Sequence, residues 1–438
     1  MSLPGRFNTF QRTMLLWDEM HAYNAVHVAR VPAALDAERL RRTLARVLEE
    51  RGLTGLRIDA KGRAFEFCGG SASVELTVCD GGADAREALR AEMERQINVR
   101  FERHAGFTPF RFFAVPHHEG GDSFWLGTAY FHAIADAEPI VRLVCEFVVD
   151  YVADDALARR GRWDVHAATT GRGVWRAGHW LRALRKLLAV PSQFRAMRTA
   201  IRPDGTDRGD FGNGAELFTL GSGELAALIA AGKKLDVTVN DLLLALLMHS
   251  LAPLCEAGRR AGRDRISLGC IVNARRDLGI AGDDSFGLAL GGFSVTCGIA
   301  EAASIAQLAR SIAGQTRHFK RGGLYLANES EMRLVLRLMS LFSTNQRRRF
   351  YPKNYPLWGG LTNMNLTRLP VEPAAVQPSD YLRTVSTGPV TPLVLSVTTF
   401  GKGVNIAMSY RTSVFSQPDV AAVRARFTSA VRGLEDVK

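Results

Sequence analysis

Two kinds of hydrophobic pattern meet at one point of the chain. Residues 123–131 are apolar almost throughout, which predicts a strand buried on both faces. From Pro139 onward, apolar residues recur every three or four positions, which predicts a helix, and a proline suits its first turn. His132 and Asp136 lie between the two elements. A side chain at such a junction is held rigidly and can still meet a cavity, so His132 is a candidate general base. The competing interpretation is that His132 is a structural histidine of the core whose hydrogen bonds are all made within the protein.

Both halves of the chain alternate the two patterns, which predicts two related α/β domains with mixed sheets. After Thr238 and Asn240, either of which can cap a helix, an apolar stretch predicts a helix that is buried all round. The other predicted helices cover about residues 8–18, 35–51, 84–100, 223–234, 304–317 and 420–434. The predicted strands cover about residues 24–31, 109–115, 215–220, 266–272, 288–296, 360–365, 393–399 and 404–410, with two more near Arg57 and Val74.

A second histidine motif precedes the first. His117 and His118 lie five and four residues before Asp122, a spacing that imitates the arrangement at His132. The intervening Glu119-Gly120-Gly121 is polar and glycine-rich between two strand-like runs, which indicates a hairpin turn. No helix follows this motif, so we place the site at His132.

A strongly basic segment lies between the two halves of the chain. Between residues 169 and 210, cations alternate with apolar residues and no acid occurs before Asp204. This pattern predicts a basic amphipathic helical connector between an N-terminal domain (1–168) and a C-terminal domain (211–438). A second basic amphipathic segment covers 332–349. The cations of the connector are Arg172, Arg176, Arg182, Arg185, Lys186, Arg195, Arg198 and Arg202.

The composition of the 438 residues is ordinary for a soluble enzyme, but the formal net charge is +12. That charge favours acidic partners: nucleic acid, an anionic membrane surface, or phosphate-bearing ligands and acidic carrier proteins. We expect no nucleic-acid binding, because no recognised motif accompanies the charge. The six cysteines are scattered without a C-x-x-C pair, so we expect reduced, buried thiols and no metal. No signal-peptide pattern opens the sequence, and we expect a cytoplasmic protein that can lie at the membrane periphery.

Several short motifs occur in an informative order. They are His132-x-x-x-Asp136, Thr238-Val239-Asn240-Asp241, Ile271-Val272-Asn273-Ala274-Arg275-Arg276, Ser285-Phe286-Gly287, Leu361-Thr362-Asn363 and Tyr410-Arg411. This set resembles the condensation-domain-like acyltransferase superfamily over nearly the whole chain. The superfamily includes chloramphenicol acetyltransferase, plant BAHD acyltransferases, polyketide-associated acyltransferases, wax ester synthases and nonribosomal peptide condensation domains.

The resemblance implies a fold, a mechanism and a donor. Two chloramphenicol-acetyltransferase-like domains would form a V with a tunnel between them, entered by acceptor and acyl thioester from opposite faces. His132 would deprotonate the acceptor. Asp136 would be structural and pair with Arg275, with Arg276 as the neighbouring alternative. The acyl group would come from acyl-CoA or an acyl carrier protein, with no bound cofactor or metal.

The sequence departs from the condensation-domain pattern beside the histidine. Phe131 replaces the first histidine of H-H-x-x-x-D-G, and Ala137 replaces its glycine. BAHD-type enzymes lack the first histidine too, so this favours a stand-alone acyltransferase. Only Phe286 and Gly287 remain of the BAHD motif D-F-G-W-G.

The resemblance implies transfer of an acyl group to a hydroxyl or amine, in secondary-metabolite or lipid biosynthesis. A histidine suits the task because its pKa lies near working pH. Oxyanion donors could be Asn363, Ser396 or Thr398, although ordinary strand side chains would look the same. The alternatives are a condensation enzyme that joins carrier-bound substrates and a non-catalytic homologue that binds carriers or membranes. The basic segments would dock a carrier protein, coenzyme A phosphates or an anionic membrane, which would suit a lipid acceptor.

Overall fold

The computed structural model describes residues 2–82, 84–104, 106–117, 122–153, 161–165, 199–203, 205, 209–280, 285–321, 323, 325, 328–369 and 376–436. The chain forms two compact units. The first unit comprises Met1–Gly173, Ala274–Leu290 and Asn365–Ser386. The second unit comprises Val174–Asn273, Gly291–Met364 and Thr387–Lys438.

The first unit is built on a five-stranded sheet in the order β14-β2-β7-β6-β5. All neighbouring pairs are antiparallel except β5 with β6. A three-stranded sheet, β1-β4-β3, and a two-stranded sheet, β8-β11, accompany it. The strands are β1 (Leu3–Arg6), β2 (Asn24–Val31), β3 (Leu56–Ile58), β4 (Ala64–Phe67), β5 (Leu76–Val78), β6 (Phe110–His117), β7 (Ser123–Phe131), β8 (Asp164–Val165), β11 (Ser285–Phe286) and β14 (Asp380–Val385). The helices are α1 (Thr9–Asp18), α2 (Ala37–Arg51), α3 (Ala85–Asn98) and α4 (Ala137–Val152).

Strand β7 lies in the middle of this sheet, and its neighbours on either side are β2 and β6. Helices α3 and α4 both contact β2, and eight of the nine residues of β7 are buried. The backbone of Gly127 passes under the ring of Phe113, where a Cβ atom would lie 2.0 Å from the ring. A glycine is therefore required in this strand. Burial on both faces explains the largely apolar run, and the predicted strand is confirmed.

The second unit is built on a six-stranded sheet in the order β12-β10-β13-β15-β16-β9. Strands β10 and β13 are parallel, whereas β15 pairs antiparallel with β16, and β16 with β9. The strands are β9 (Asn213–Leu220), β10 (Arg265–Asn273), β12 (Leu290–Gly298), β13 (Gly359–Asn365), β15 (Leu393–Phe400) and β16 (Gly403–Arg411). The helices are α5 (Ser222–Leu235), α6 (Val239–Ala257), α7 (Ile305–Arg321), α8 (Asn328–Ser340), α9 (Thr344–Asn354) and α10 (Gln417–Arg432).

Helix α6 is the core helix of the second unit. Thr238 caps it, accepting from the amide of Asp241, whose carboxylate accepts in turn from the amide of Thr238. Residues 242–248 are all buried, and α5, α7 and α10 pack around the helix. Among the described residues α6 alone is long and apolar enough to cross a membrane, but 61% of that window is buried inside the unit. For residues 242–248, the apolar stretch on which it rests, the prediction of a buried helix is confirmed.

The structure differs from the predicted pattern in several places. Strands β1, β4 and β14 are not predicted, and the basic segment 332–349 divides into α8 and α9. Most of the basic connector lies outside the described residues. The contiguous division into 1–168 and 211–438 remains a prediction, and the compact units group Ala274–Leu290 and Asn365–Ser386 with the N-terminal part. Four cysteines are buried, while Cys68 and Cys79 are half-buried.

Candidate active site

His132 lies in the turn that joins β7 to α4, as the two patterns predict. Its Nδ1 lies 3.1 Å from the carbonyl oxygen of Ala135. Because a carbonyl only accepts, Nδ1 carries the proton and donates it. The neutral ring therefore has its lone pair on Nε2, the atom that a general base needs.

Aromatic rings hold the imidazole. Tyr23 stacks on His132 with ring centres 5.6 Å apart, and Tyr130 presents its edge at 5.7 Å. The side chain is half-buried. Burial lowers the pKa of His132 to about 4; its hydrogen bond to Ala135 opposes the shift, and the charge of Arg383 adds to it. His132 is therefore neutral at physiological pH.

A polar row crosses the sheet close to this histidine. Arg383 on β14 is opposite His27 on β2, which is opposite Thr128 on β7. Residues directly opposite on neighbouring strands share a face, so these three side chains lie on one face of the sheet. His27 Nδ1 lies 2.7 Å from the hydroxyl of Tyr381, and burial lowers the pKa of His27 well below its usual value. The sequence pattern does not single out His27, Tyr381 or Arg383, because residues 380–385 show no regular alternation of polar and apolar side chains.

Asp136 caps helix α4 and is 2% exposed. Its carboxylate accepts hydrogen bonds from the backbone amides of Glu138, at 3.2 Å, and Ala289, at 2.8 Å. Its own amide donates to the carbonyl of Gly287. The carboxylate is thus directed toward residues 287–289, and its task in the described structure is to hold two segments together.

Arg275 completes this anchor. Its Nη2 donates to both carboxylate oxygens of Asp136, at 3.0 and 3.1 Å, and to the carbonyl of Gly287 at 2.7 Å. Its Nη1 donates to Ser285. Burial raises the pKa of Asp136, and the charge of Arg275 opposes that shift. Arg275, 5% exposed, makes the ion pair, whereas the neighbouring Arg276 is exposed.

Phe131, which stands in place of the first histidine of the condensation-domain motif, is a core residue. Phe131 is fully buried and packs edge-on against Phe101 and Phe107. Ala137 is the first residue of α4. At the position of the first histidine in H-H-x-x-x-D-G, Phe131 is therefore a core residue. At the position of the glycine, Ala137 begins a helix.

The candidate oxyanion donors lie in the second unit. Asn363 is exposed on β13. Ser396 and Thr398 are buried and lie on the same face of β15, since they are two residues apart. Asn405, opposite Thr398 on β16, accepts a hydrogen bond from Thr219, so this face is polar although it is buried. The structure groups Ser396 with Thr398, and their role in catalysis remains a prediction.

The competing histidine motif lies at a hairpin. Strands β6 and β7, which are consecutive in the chain, pair antiparallel with His117 opposite Ser123, as the prediction of a hairpin requires. His118 lies outside the described residues. No group of three or more histidine, cysteine, aspartate or glutamate side chains within the described ranges could hold a metal ion.

Comparison of the sequence gives no matching family model and no matching curated protein. The structure, however, resembles solved structures over almost its full length. The first condensation domain of the calcium-dependent antibiotic synthetase, in complex with a substrate analogue, is 16% identical, with a TM-score of 0.67 over 99% of this chain and 97% of that one. The chain has the condensation-domain fold.

Other proteins share this condensation-domain fold. The epimerization domain from the third module of tyrocidine synthetase B is 13% identical, with a TM-score of 0.62 over 99% of this chain and 96% of that one. SgcC5 from Streptomyces globisporus, in complex with (R)-(-)-1-(2-naphthyl)-1,2-ethanediol and sucrose, is 13% identical, with a TM-score of 0.66 over 98% of each chain. The predicted α/β class with mixed sheets and two chloramphenicol-acetyltransferase-like lobes is confirmed. At these identities, the function has to be argued from the site.

Proposed function

We propose that this protein transfers an acyl group from a thioester to a hydroxyl or amine, with His132 as the general base. One observation carries the proposal: a neutral imidazole whose Nδ1–H is fixed on the carbonyl of Ala135, beside a buried Asp136–Arg275 anchor. The condensation-domain fold supports the same class of reaction.

The chemistry follows from the tautomer. Nε2 of His132 accepts the proton of the acceptor as the acceptor attacks the thioester carbonyl. The tetrahedral intermediate then collapses, its carbon–sulfur bond breaks, and the imidazolium returns the proton to the departing thiolate. Nδ1 keeps its proton throughout, and the hydrogen bond to Ala135 helps to stabilise the imidazolium. The oxyanion needs a donor at the carbonyl oxygen, and Ser396, Thr398 and Asn363 are the residues that we propose to test.

Donor and acceptor follow from charge and from the related folds. We propose a carrier-bound or coenzyme A thioester as donor, because a protein of net charge +12 attracts acidic carriers and phosphates. A small hydroxyl-bearing molecule is the acceptor that we favour, since SgcC5, similar in fold, is described in complex with a diol. The second candidate is condensation of two carrier-bound substrates, which the similarity to a condensation domain of an antibiotic synthetase supports.

Mass spectrometry tests this proposal. The purified protein is incubated with a panel of acyl thioesters, each on coenzyme A and on a carrier protein, together with alcohols and amines. We expect an acylated acceptor and one equivalent of free thiol for at least one combination. Free thiol without acylated acceptor would indicate hydrolysis. Neither product across the panel, together with binding of the carrier, would favour the non-catalytic homologue.

The pH dependence of the reaction reports the protonation of His132. Because its pKa is lowered to about 4, the base is neutral above that pH and protonated below it. With a hydroxyl acceptor, which does not itself titrate in this range, kcat/KM should be flat from about pH 5 to 8. It should fall tenfold per unit below about pH 4. A limb near pH 6.5 would show that the imidazole is not desolvated in the free enzyme. Circular dichroism at each pH separates protonation from acid unfolding.

Helices α8 and α9 carry exposed cations, which we propose meet an acidic partner. We call Arg333, Arg337 and Arg349 together the basic face. Arg337→Glu with Arg349→Glu should raise KM for a carrier-bound thioester about tenfold at low salt, and added salt should reduce the difference. Lys233→Glu with Lys234→Glu, an equal change of charge on α5, is the matched control. Equal effects of the two double variants would attribute the change to net charge and not to docking at this face.

A variant between α8 and α9 tests whether the protein contacts a membrane. Leu341, between α8 and α9, is 81% exposed beside the basic face. Cosedimentation with anionic vesicles should decrease in Leu341→Asp if this tip enters a membrane interface. Unchanged sedimentation, together with the kinetic effect of the arginine variants, would assign the face to the carrier protein.

A further inference from the structure

Tyr23 lies beside the proposed base and belongs to the same unit. It immediately precedes β2, and His132 immediately follows β7. In the antiparallel pairing of these strands Asn24 is opposite Phe131, so the next position of the register sets Tyr23 opposite His132. Residues directly opposite on neighbouring antiparallel strands direct their side chains to the same face of the sheet. The phenol and the imidazole therefore leave the sheet in the same direction, side by side.

The contact between the two rings agrees with this arrangement. Their planes are 25° apart and their centres are 5.6 Å apart. Nδ1 of His132 faces the carbonyl of Ala135, and Nε2 is one of the two imidazole atoms farthest from the backbone. A phenol ring is larger than an imidazole and carries its oxygen beyond the ring. The hydroxyl of Tyr23 therefore extends past the outer edge of the imidazole, on the side where Nε2 meets the acceptor.

Several contacts fix the position of the Tyr23 ring. The imidazole of His132 stacks on it, and the edge of Trp17 packs against it with ring centres 5.2 Å apart. The backbone amide of Tyr23 donates to Oδ1 of Asp18 at 3.2 Å. Asp18 is fully buried and also forms an ion pair with Arg103 at 3.6 Å. A hydroxyl on a ring that is held in this way keeps its position during a reaction without reorganisation.

The hydroxyl of Tyr23 is able to donate a hydrogen bond to a substrate. Within the part of the chain that the structure describes, this hydroxyl makes no hydrogen bond, and the side chain is half-buried. Burial raises the pKa of Tyr23, so the phenol is protonated at physiological pH. A hydrogen bond from such a donor to a developing negative charge is worth more in a poorly hydrated site than in water.

We propose that Tyr23 is a second catalytic residue, whose hydroxyl donates a hydrogen bond to the thioester carbonyl oxygen as that oxygen becomes negative. This inference rests on the acyl transfer proposed above. The nucleophilic atom of the acceptor bonds to the carbonyl carbon, and the π electron pair of the carbonyl moves onto its oxygen. When the carbon–sulfur bond breaks, that pair returns, and the thiolate takes the proton held by His132. Tyr23 keeps its own proton throughout, and its hydrogen bond is stronger in the transition state than in the ground state.

Tyr23 differs from the donors considered above, Asn363, Ser396 and Thr398, because it belongs to the same unit as the base. Its placement beside His132 follows from the register of β2 and β7. The assignments are compatible, since an oxyanion site is commonly built from more than one donor.

Tyr23→Phe tests this role, because it removes the hydroxyl and keeps the ring that stacks on His132. We expect kcat for the active donor and acceptor to fall about 10²-fold, with KM for both substrates changed by less than about twofold. The acid limb of kcat/KM, which His132 sets, should stay at the same pH because the imidazole remains equally buried. The thermal unfolding midpoint should stay close to that of the unaltered protein, since no hydrogen bond within the described residues is lost.

Two further variants separate the hydroxyl from the ring. Tyr23→Leu removes both, so the pKa of the less buried His132 rises toward its ordinary value, and the acid limb should move to higher pH. Tyr151→Phe is the matched control in the same unit. The Tyr151 hydroxyl donates to the carbonyl of Ala34 at 2.6 Å and accepts from the amide of Asp36 at 2.7 Å. Its loss should lower stability and leave kcat per folded molecule unchanged.

A kcat of Tyr23→Phe within about twofold of the unaltered protein would overturn the role of Tyr23 and leave acyl transfer with His132 in place. A rise in KM alone would also overturn it, because the hydroxyl would then act in substrate binding. An acid limb that moves in Tyr23→Phe would overturn it as well, because the effect would then act through His132. Absence of turnover by the unaltered protein with every thioester of the panel would overturn acyl transfer, and the role of Tyr23 with it.

Discussion

Replacing His132 with alanine should lower kcat for acyl transfer by about 10²–10⁴-fold and leave the thermal unfolding midpoint close to that of the unaltered protein. The loss follows because Nε2 of this ring is the base that we propose, and the thioester carbonyl is already activated for attack. The fold should survive because the ring is half-buried and its loss removes the hydrogen bond to the carbonyl of Ala135. The measurement is steady-state kinetics with the active donor and acceptor, paired with circular dichroism.

Two other histidines make this experiment selective. His104 is exposed, and His104→Ala should leave kcat unchanged. His249 is partly buried in the second unit, and its Nδ1 lies 2.7 Å from the carbonyl of Ala302, the same contact that His132 makes. His249→Ala should change stability but not kcat per folded molecule. Near-normal turnover in His132→Ala would assign the base to another residue and end the proposal.

Local patterns predict the framework of the site well. The largely apolar run of β7 and the helical spacing of α4 place His132 at their junction, because burial on both faces of a central strand removes any need for alternation. The glycine-rich connection after His117 likewise indicates the hairpin that the pairing of β6 and β7 shows. In each case the pattern that gives the prediction is local in sequence.

Long-range pairing is what local patterns cannot supply. Strand β14 pairs with β2 across about 350 residues, and nothing in either stretch specifies the other. For this reason the polar row that contains Arg383 and His27 has no signature in the sequence. Arg275 is different: the ordered motifs single it out together with Arg276, and the structure decides between them, because only Arg275 reaches Asp136.

The second large effect is expected at the Asp136–Arg275 pair. Asp136→Ala leaves the buried guanidinium of Arg275 without its carboxylate, which should lower the free energy of unfolding by about 3–5 kcal/mol. Turnover should fall as well, because Asp136 caps the helix that follows His132. Denaturant unfolding and kinetics measure the two losses. Loss of activity with unchanged stability would contradict a structural role for Asp136.

Arg275→Ala and a variant of a second buried ion pair test whether the Asp136–Arg275 pair affects the placement of His132. In Arg275→Ala the buried carboxylate of Asp136 is unpaired, so its pKa should rise further, and protonation relieves the penalty. The destabilisation should therefore shrink as pH falls through that pKa, whereas that of Asp136→Ala should not, since arginine stays charged.

Arg51 and Glu146 form an equally buried pair in the same unit, with Nε and Oε2 2.9 Å apart. Arg51→Ala should destabilise comparably and leave kcat per folded molecule unchanged, because that pair joins the end of α2 to the middle of α4 and not to the turn that contains His132. If Arg51→Ala lowered kcat as much as Asp136→Ala, the loss would reflect general loosening of the unit and not the placement of His132.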